Sequence, residues 1–213
     1  MPEGDTLAPI NLALQGGGSH GALTWGVLDA LLASPEWGPR IPTGHIGAVG
    51  HSAGGYSVLA LAGAQADARR SAQHCWTVQD DPGYCALAKG SAGTESAAMQ
   101  AASATPAATP ESRPVSVPDR RIRAVVALAP MAVVFTPESL AAITVPVRVI
   151  VAEQDVVLTG KYHGGHVVAS LPRAQASTVA GAGHFAFMAQ PTFPLPSAAG
   201  DAAAKPAAHK PKK

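Results

Sequence analysis

Three residues in this chain have side chains suited to nucleophilic chemistry and stand where such chemistry needs them. Ser52 lies in Gly50-His51-Ser52-Ala53-Gly54, between the apolar run Ile46 to Val49 and a small-residue apolar run ending near Gly63. The first run reads as a buried strand and the second as a helix. A strand that turns into a helix within a few residues forces the serine between them into a strained backbone conformation. Gly50 and Gly54, lacking Cβ, are expected to let neighbouring backbone approach. Asp155 follows the strand candidate Val147 to Ala152, and His184 follows the short strand candidate Ala176 to Val179. A serine hydroxyl is a poor nucleophile at neutral pH and needs a base to take its proton. An imidazole suits that role, because its pKa lies near the operating pH. A carboxylate on the other ring nitrogen fixes the tautomer and stabilises the imidazolium. Ser52, His184 and Asp155 are therefore the candidate nucleophile, base and acid of an acyl-transfer site.

Each role has a rival. Glu153 stands two residues before Asp155 and competes as the acid. His51 sits beside Ser52, where its side chain is expected to pack or hydrogen-bond locally and not to act as the base. His163 and His166 form a His-x-x-His pair that suggests metal ligation. Gly164-Gly165 between them makes a poor rigid helical site, and no carboxylate cluster accompanies them. That pair reads as a surface loop or helix start.

Acyl transfer also needs two donors aimed at the developing oxyanion. The backbone N–H of Ala53 is one, by the geometry of such a turn. The other is expected from the glycine loop Gly16-Gly17-Gly18, through Gly17 or Gly18. Gly16, Gly18 and Gly21 also match Gly-x-Gly-x-x-Gly, a dinucleotide-binding pattern. The acidic residue that should follow that pattern at its proper later position is missing.

The elements that must hold these residues alternate between strand and helix. Ile10 to Leu14 is a strand candidate, and Ala22 to Ala33 carries Leu23, Val27, Leu28, Leu31 and Leu32 near a helical period. Pro35, Gly38, Pro39 and Pro42 end that helix. Beyond the Ser52 turn the pattern weakens: Asp67 to Ala88 is polar and carries Cys75, Cys85 and the turn Asp80-Asp81-Pro82-Gly83. Lys89 to Pro118, rich in Ala, Ser, Thr and Pro, is expected to form a low-complexity, mobile insertion. Strands are predicted at Ile122 to Pro130, at Val147 to Ala152 and at Ala176 to Val179. Helices are predicted at Pro137 to Ile143, with Thr136 as N-cap, and at Val167 to Leu171. The expected fold is an α/β three-layer sandwich whose short, mostly parallel sheet has about five strands. Residues 1–9 read as a lead-in, 10–194 as a single domain and 195–213 as a disordered Ala/Pro/Lys tail.

At 213 residues the chain suffices for one sizeable core. Its net charge of +1 points to neither nucleic acid nor an anionic surface as main partner. No apolar run is long enough for a transmembrane helix. The polar start Met1-Pro2-Glu3-Gly4-Asp5 does not read as a signal peptide, so a cytoplasmic location is expected. Cys75 and Cys85 do not suit a zinc site. They are either a disulfide closing a loop of about ten residues or free thiols in a reducing compartment.

From about Leu28 to Phe187 the chain resembles the predicted dienelactone-hydrolase type of α/β-hydrolase. The resembling stretches are Gly47 to Gly55, Asp81-Pro82-Gly83-Tyr84-Cys85, Arg123 to Pro130, Glu153-Gln154-Asp155 and Gly181-Ala182-Gly183-His184-Phe185. The order Ser, Asp, His along the chain is the order of that superfamily. The resemblance implies a serine-dependent hydrolase of carboxylic esters with the triad on Ser52, Asp155 and His184. Well-known dienelactone hydrolases have cysteine where this chain has Ser52. The stretch Ile10 to Leu28 is similar instead to the opening of patatin-like phospholipases. There a glycine loop serves as oxyanion hole and Gly-x-Ser-x-Gly follows about 35 residues later, a spacing that Gly18 and Ser52 fit. The aspartate tripeptide of the patatin dyad, Asp-Gly-Gly or Asp-Gly-Ala, is absent from the chain.

The expectation is therefore a small serine esterase that needs no metal or organic cofactor. Its substrate would be a small ester or lipid, and a homodimer would cover the exposed sheet edge. A patatin-like lipid acyl hydrolase is the alternative enzyme. A non-catalytic remnant or fusion product is the alternative outside enzymology.

Overall fold

The computed structural model describes residues 27, 29–41, 44, 46–91 and 114–188. The expected strand at Ile10, the glycine loop with Gly17 and Gly18, the middle of the expected insertion and the tail from 195 lie outside the described residues. By its contacts the chain divides into two units, Met1–Ile46 and Gly47–Lys213.

In the first unit residues 29–33 are helical. The helix stops at Ser34, whose hydroxyl accepts the N–H groups of Glu36 and Trp37. A 3-10 turn, Gly38–Arg40, follows. A Cβ on Gly38 would lie 2.4 Å from the Leu32 carbonyl oxygen, so the chain folds back this tightly only because residue 38 is glycine.

The second unit is built on a four-stranded, all-parallel sheet with strands in chain order. Strand β1 (Ile46–His51), which starts at the boundary between units, runs through Ser52 directly into α1 (Ala53–Leu61). Helices α2 (Ala68–Thr77) and α3 (Pro82–Ser91) follow. Next come β2 (Ile122–Leu128), α4 (Pro137–Ala141), β3 (Val147–Ala152), α5 (Gly164–Ser170) and β4 (Gln175–Val179). Strand β2 pairs with β3 so that Val125 faces Val147 and Leu128 faces Ile150. Strand β3 pairs with β4 from Arg148–Gln175 to Ala152–Val179. Strands β1, β2 and β3 and the helices α1, α4 and α5 fall at the apolar runs, and β4 at the short β-branched stretch expected there. Thr136 caps α4 as expected, its hydroxyl accepting the Ser139 N–H.

The core lies where α1 packs on β2 and α5 on β3 and α4. Leu59, Ala127, Phe135, Leu140, Val149 and Val167 are fully buried there. Burying side chains of Leu or Phe size contributes roughly 1.5–3 kcal/mol each.

Two corrections concern the polar middle of the chain. Residues 67–88, which show no clear period, form the helical pair α2 and α3. Asp67 starts α2 by accepting the Arg69 N–H, and Pro82 is the first residue of α3, a position where its missing N–H has no intrahelical partner in any case. The Cys75–Cys85 disulfide joins the two helices, their Cα atoms 5.5 Å apart. Both ends of the stretch expected as an insertion, 89–118, are also built into the fold. Lys89 belongs to α3, and Val115 exchanges two backbone hydrogen bonds with Ala66 in an antiparallel bridge. Among the described residues no helix is long and apolar enough to cross a membrane.

Candidate functional site

Because β1 passes into α1 with only Ser52 between them, that residue must reverse the chain direction alone. It does so at φ 56°, ψ −117°, one of two non-glycine residues with positive φ among those described. Such conformations cost on the order of 1–3 kcal/mol and persist only where the surroundings impose them. Here the Ser52 N–H donates to the Leu128 carbonyl, and the Ser52 carbonyl accepts from the N–H groups of Tyr56 and Met131. The other positive-φ residue, Ala129, ends the neighbouring strand β2. A Cβ on Gly50 would lie 2.1 Å from the Gly54 carbonyl oxygen, and one on Gly55 would lie 2.7 Å from the Pro130 Cα. At Gly54 a Cβ would meet nothing within 4 Å. The close approaches thus fall at Gly50 and Gly55, not at Gly50 and Gly54, because residue 55 is the one turned towards the Ala129–Pro130 corner.

The loops after β3 and β4 are laced together. Glu153 N–H donates to Val179 O, and Gln154 N–H donates to Ala182 O. Gly181 turns the chain at φ 68°, in the left-handed region that suits glycine. Next, the 3-10 turn His184–Phe187 brings the His184 ring inward. His184 Nδ1–H donates to Asp155 Oδ2 at 2.8 Å, with both side chains almost fully buried. Asp155 Oδ1 accepts the N–H groups of Val157 and Leu158 at 2.9 and 2.7 Å. The carboxylate is thus fixed on both oxygens, and the histidine tautomer leaves Nε2 as an acceptor. Glu153 is engaged elsewhere, its Oε2 accepting the Gly181 N–H at the exposed rim.

His51 reaches further than expected. Its Nε2–H donates to the His184 carbonyl at 2.8 Å, and the two rings lie 4.7 Å apart between centroids. Burial lowers its pKa below the ordinary 6.5, against the opposing effect of that hydrogen bond. Ser52, Asp155 and His184 thus stand at the carboxyl ends of β1, β3 and β4, with His51 linking the first region to the last. Among the described residues no hydrogen bond joins Ser52 Oγ to His184. Ala53 opens α1.

A second buried cluster has no counterpart in the sequence reading. Asp81 Oδ2 accepts from His74 Nε2 at 2.8 Å and from His163 Nε2 at 3.0 Å. Its Oδ1 accepts the Thr159 N–H at 3.1 Å. Burial acts to raise the Asp81 carboxyl, but His163 and the Thr159 donors outweigh it and hold the group at about 2. His163, expected at a surface loop or helix start, does precede α5 but is buried. Its Nδ1 accepts the Ala132 N–H. His166 turns to a different partner and donates to the Phe135 carbonyl. Among the described residues no group of three or more His, Cys, Asp or Glu is arranged to hold a metal ion.

The chain matches no protein-family model, and a comparison with curated proteins found no significant match.

Proposed function

We propose that this chain is a serine hydrolase of carboxylic esters, built as a reduced α/β-hydrolase-like three-layer sandwich. The observation that carries the reading is the buried Asp155–His184 hydrogen bond, which stands at the same sheet end as the positive-φ Ser52. In this scheme Ser52 Oγ attacks the ester carbonyl carbon while its proton passes to His184 Nε2. The tetrahedral intermediate collapses, and the alcohol leaves with that proton. Water then gives a proton to His184, attacks the acyl-enzyme and releases the acid, and the proton returns to Ser52. Asp155 keeps the ring oriented and stabilises the imidazolium. The Ala53 N–H is the proposed first oxyanion donor, and Gly17 or Gly18, in the glycine loop expected to follow a fifth strand at Ile10, is the proposed second. Bonds between nucleophile and base commonly tighten only when substrate is bound, so the lack of a Ser52–His184 bond among the described residues is compatible with a resting site. The scheme uses no metal or organic cofactor, and the substrate class is a small ester or lipid.

The test is labelling with a fluorophosphonate, with the modified residue located by mass spectrometry. A single adduct on Ser52 is the expected result. Labelling elsewhere, or none in folded protein, overturns the proposal.

A further inference from the structure

The buried carboxylate of Asp81 takes no part in that scheme, yet its partners lead to both halves of the site. On one side His163 Nε2–H donates to Asp81, while His163 Nδ1 accepts the Ala132 N–H. One residue before Ala132, the Met131 N–H is bonded to the Ser52 carbonyl. On the other side Asp81 accepts the Thr159 N–H, one residue beyond the Leu158 N–H that is bonded to Asp155. Gly83 seats the same turn backbone to backbone on this loop, since a Cβ there would lie 2.3 Å from the Val156 carbonyl oxygen. The Asp81 side chain is fully buried, and a buried ion of this kind is retained only where its bonds are complete.

We propose that Asp81, acting with His163, is the positioning residue that sets the acid loop of Asp155 against the elbow of Ser52. The proposal rests on the hydrolase reading above. Donor–acceptor logic makes the pair specific. With Asn at position 81, an amide facing His163 Nε2 requires a lone pair there, which moves the ring proton to Nδ1. Nδ1–H then opposes the Ala132 N–H, donor against donor. With the amide turned over, its NH₂ meets the Thr159 N–H instead. Either orientation breaks one of the two links.

The experiment compares wild type with Asp81→Asn, His163→Gln and the control Asp80→Asn, whose exposed carboxylate meets Lys161 and Tyr162 on the same loop. Each is measured well below its unfolding midpoint. In Asp81→Asn, kcat/KM for an activated ester should fall by about 10²-fold, as displacement by roughly 1 Å can cause. The fall should lie in kcat, with the alkaline and acid limbs of the pH profile displaced. Asp80→Asn should stay within about twofold of wild type, as removal of an exposed ion pair does. A second readout needs no turnover: the far-downfield Nδ1 proton resonance of His184, assigned by its loss in Asp155→Asn, should shift or broaden in Asp81→Asn. His163→Gln keeps a donor for Asp81, drops the acceptor for Ala132, and should show the same two changes if Asp81→Asn does not fold. An unmoved resonance with unchanged kcat overturns the proposal. A wild type that never labels at Ser52 sinks the hydrolase reading alone, and the resonance still decides whether Asp81 positions Asp155.

Discussion

The His51 side chain donates to the backbone carbonyl of His184 across 2.8 Å, so the residue before Ser52 holds the histidine that Asp155 orients. This bond ties the end of β1 to the turn after β4, two strands that are not neighbours in the sheet. A hydrogen bond of this type is worth roughly 0.5–1.5 kcal/mol. His51→Ala should therefore lower kcat/KM by roughly 2–12-fold by that measure, with Ser52 still labelled. His51→Gln, which can offer an N–H in its place, should recover part of the loss. Steady-state kinetics on both variants checks this. Equal loss in the two would show that the ring, and not its donor, matters.

The two carboxylates after β3 should separate cleanly. Asp155→Asn is expected to reduce turnover by roughly 10⁴-fold, as with other triad carboxylates whose loss leaves the wrong tautomer. Glu153→Gln keeps an acceptor for the Gly181 N–H and should have little effect. Reversed magnitudes would move the acid to Glu153.

The glycines of the elbow should not be equivalent. Gly50→Ala and Gly55→Ala put a methyl within 3 Å of backbone or proline atoms and should destabilise the fold by several kcal/mol or prevent it. Gly54→Ala puts its methyl in open space and replaces glycine inside α1. It should be neutral, or stabilising by up to about 1 kcal/mol. Chemical denaturation of the three variants decides the point. A Gly54→Ala protein as weak as Gly50→Ala would show that residue 54, too, is closely approached in the folded turn.

Stability should decline in two steps as pH falls. Burial lowers the pKa of His51 and of His166, against the opposing effect of their bonds to backbone carbonyls. The unfolded chain then takes up protons that the folded chain refuses. This contribution is complete above about pH 6.5 and is lost as pH falls from there towards the folded values. Asp81 supplies the second step, with a folded value of about 2 against an ordinary 3.8. Its contribution, on the order of 2 kcal/mol, is complete above the ordinary value and disappears as pH drops through the folded one. Denaturant titrations across this range should show both declines, with His166→Asn flattening the upper one. A profile without an upper decline contradicts the buried-histidine assignment.

Opening the bridge between α2 and α3 should weaken that pair. Closing a loop of about ten residues is worth roughly 2–3 kcal/mol in the chain-entropy model. The double variant Cys75→Ser/Cys85→Ser should lose stability of that order, measured by thermal unfolding with and without reductant. An unchanged midpoint would mean that the bridge contributes nothing.

The sheet is legible in the sequence because parallel strands covered by helices are simple apolar runs, as at Ile122–Leu128 and Val147–Ala152. The strand-end positions of Asp155 and His184 are legible because Asp155 lies a few residues past such a run and His184 a few past the short, β-branched stretch Ala176–Val179. Helix α2 is not, since its only buried residue is His74; a helix that buries so little carries no apolar stripe to read. The Asp81–His163 pair is hidden for another reason. The two residues are 82 positions apart, and in sequence one looks like a turn aspartate and the other like half of a surface His-x-x-His. What distinguishes them is complete burial, which only the packed chain reveals. His51 misleads in the same way, because a partner 133 positions away gives no local signal.

Strand β4 is last in the strand order, and none of its five residues is buried. It is held along β3 and leads into the turn that carries His184. The least protected segment of the sheet therefore leads to His184, the base of the proposed hydrolase, while the turn at Ser52 is anchored beside the core. Segments with few buried contacts open locally at a fraction of the global unfolding free energy. Amides of β4 should accordingly exchange with solvent well before those of β2 and β3. Esterase activity, as proposed, should then fade on warming while the rest of the sheet is still intact, its lifetime set by the fraying of one short strand.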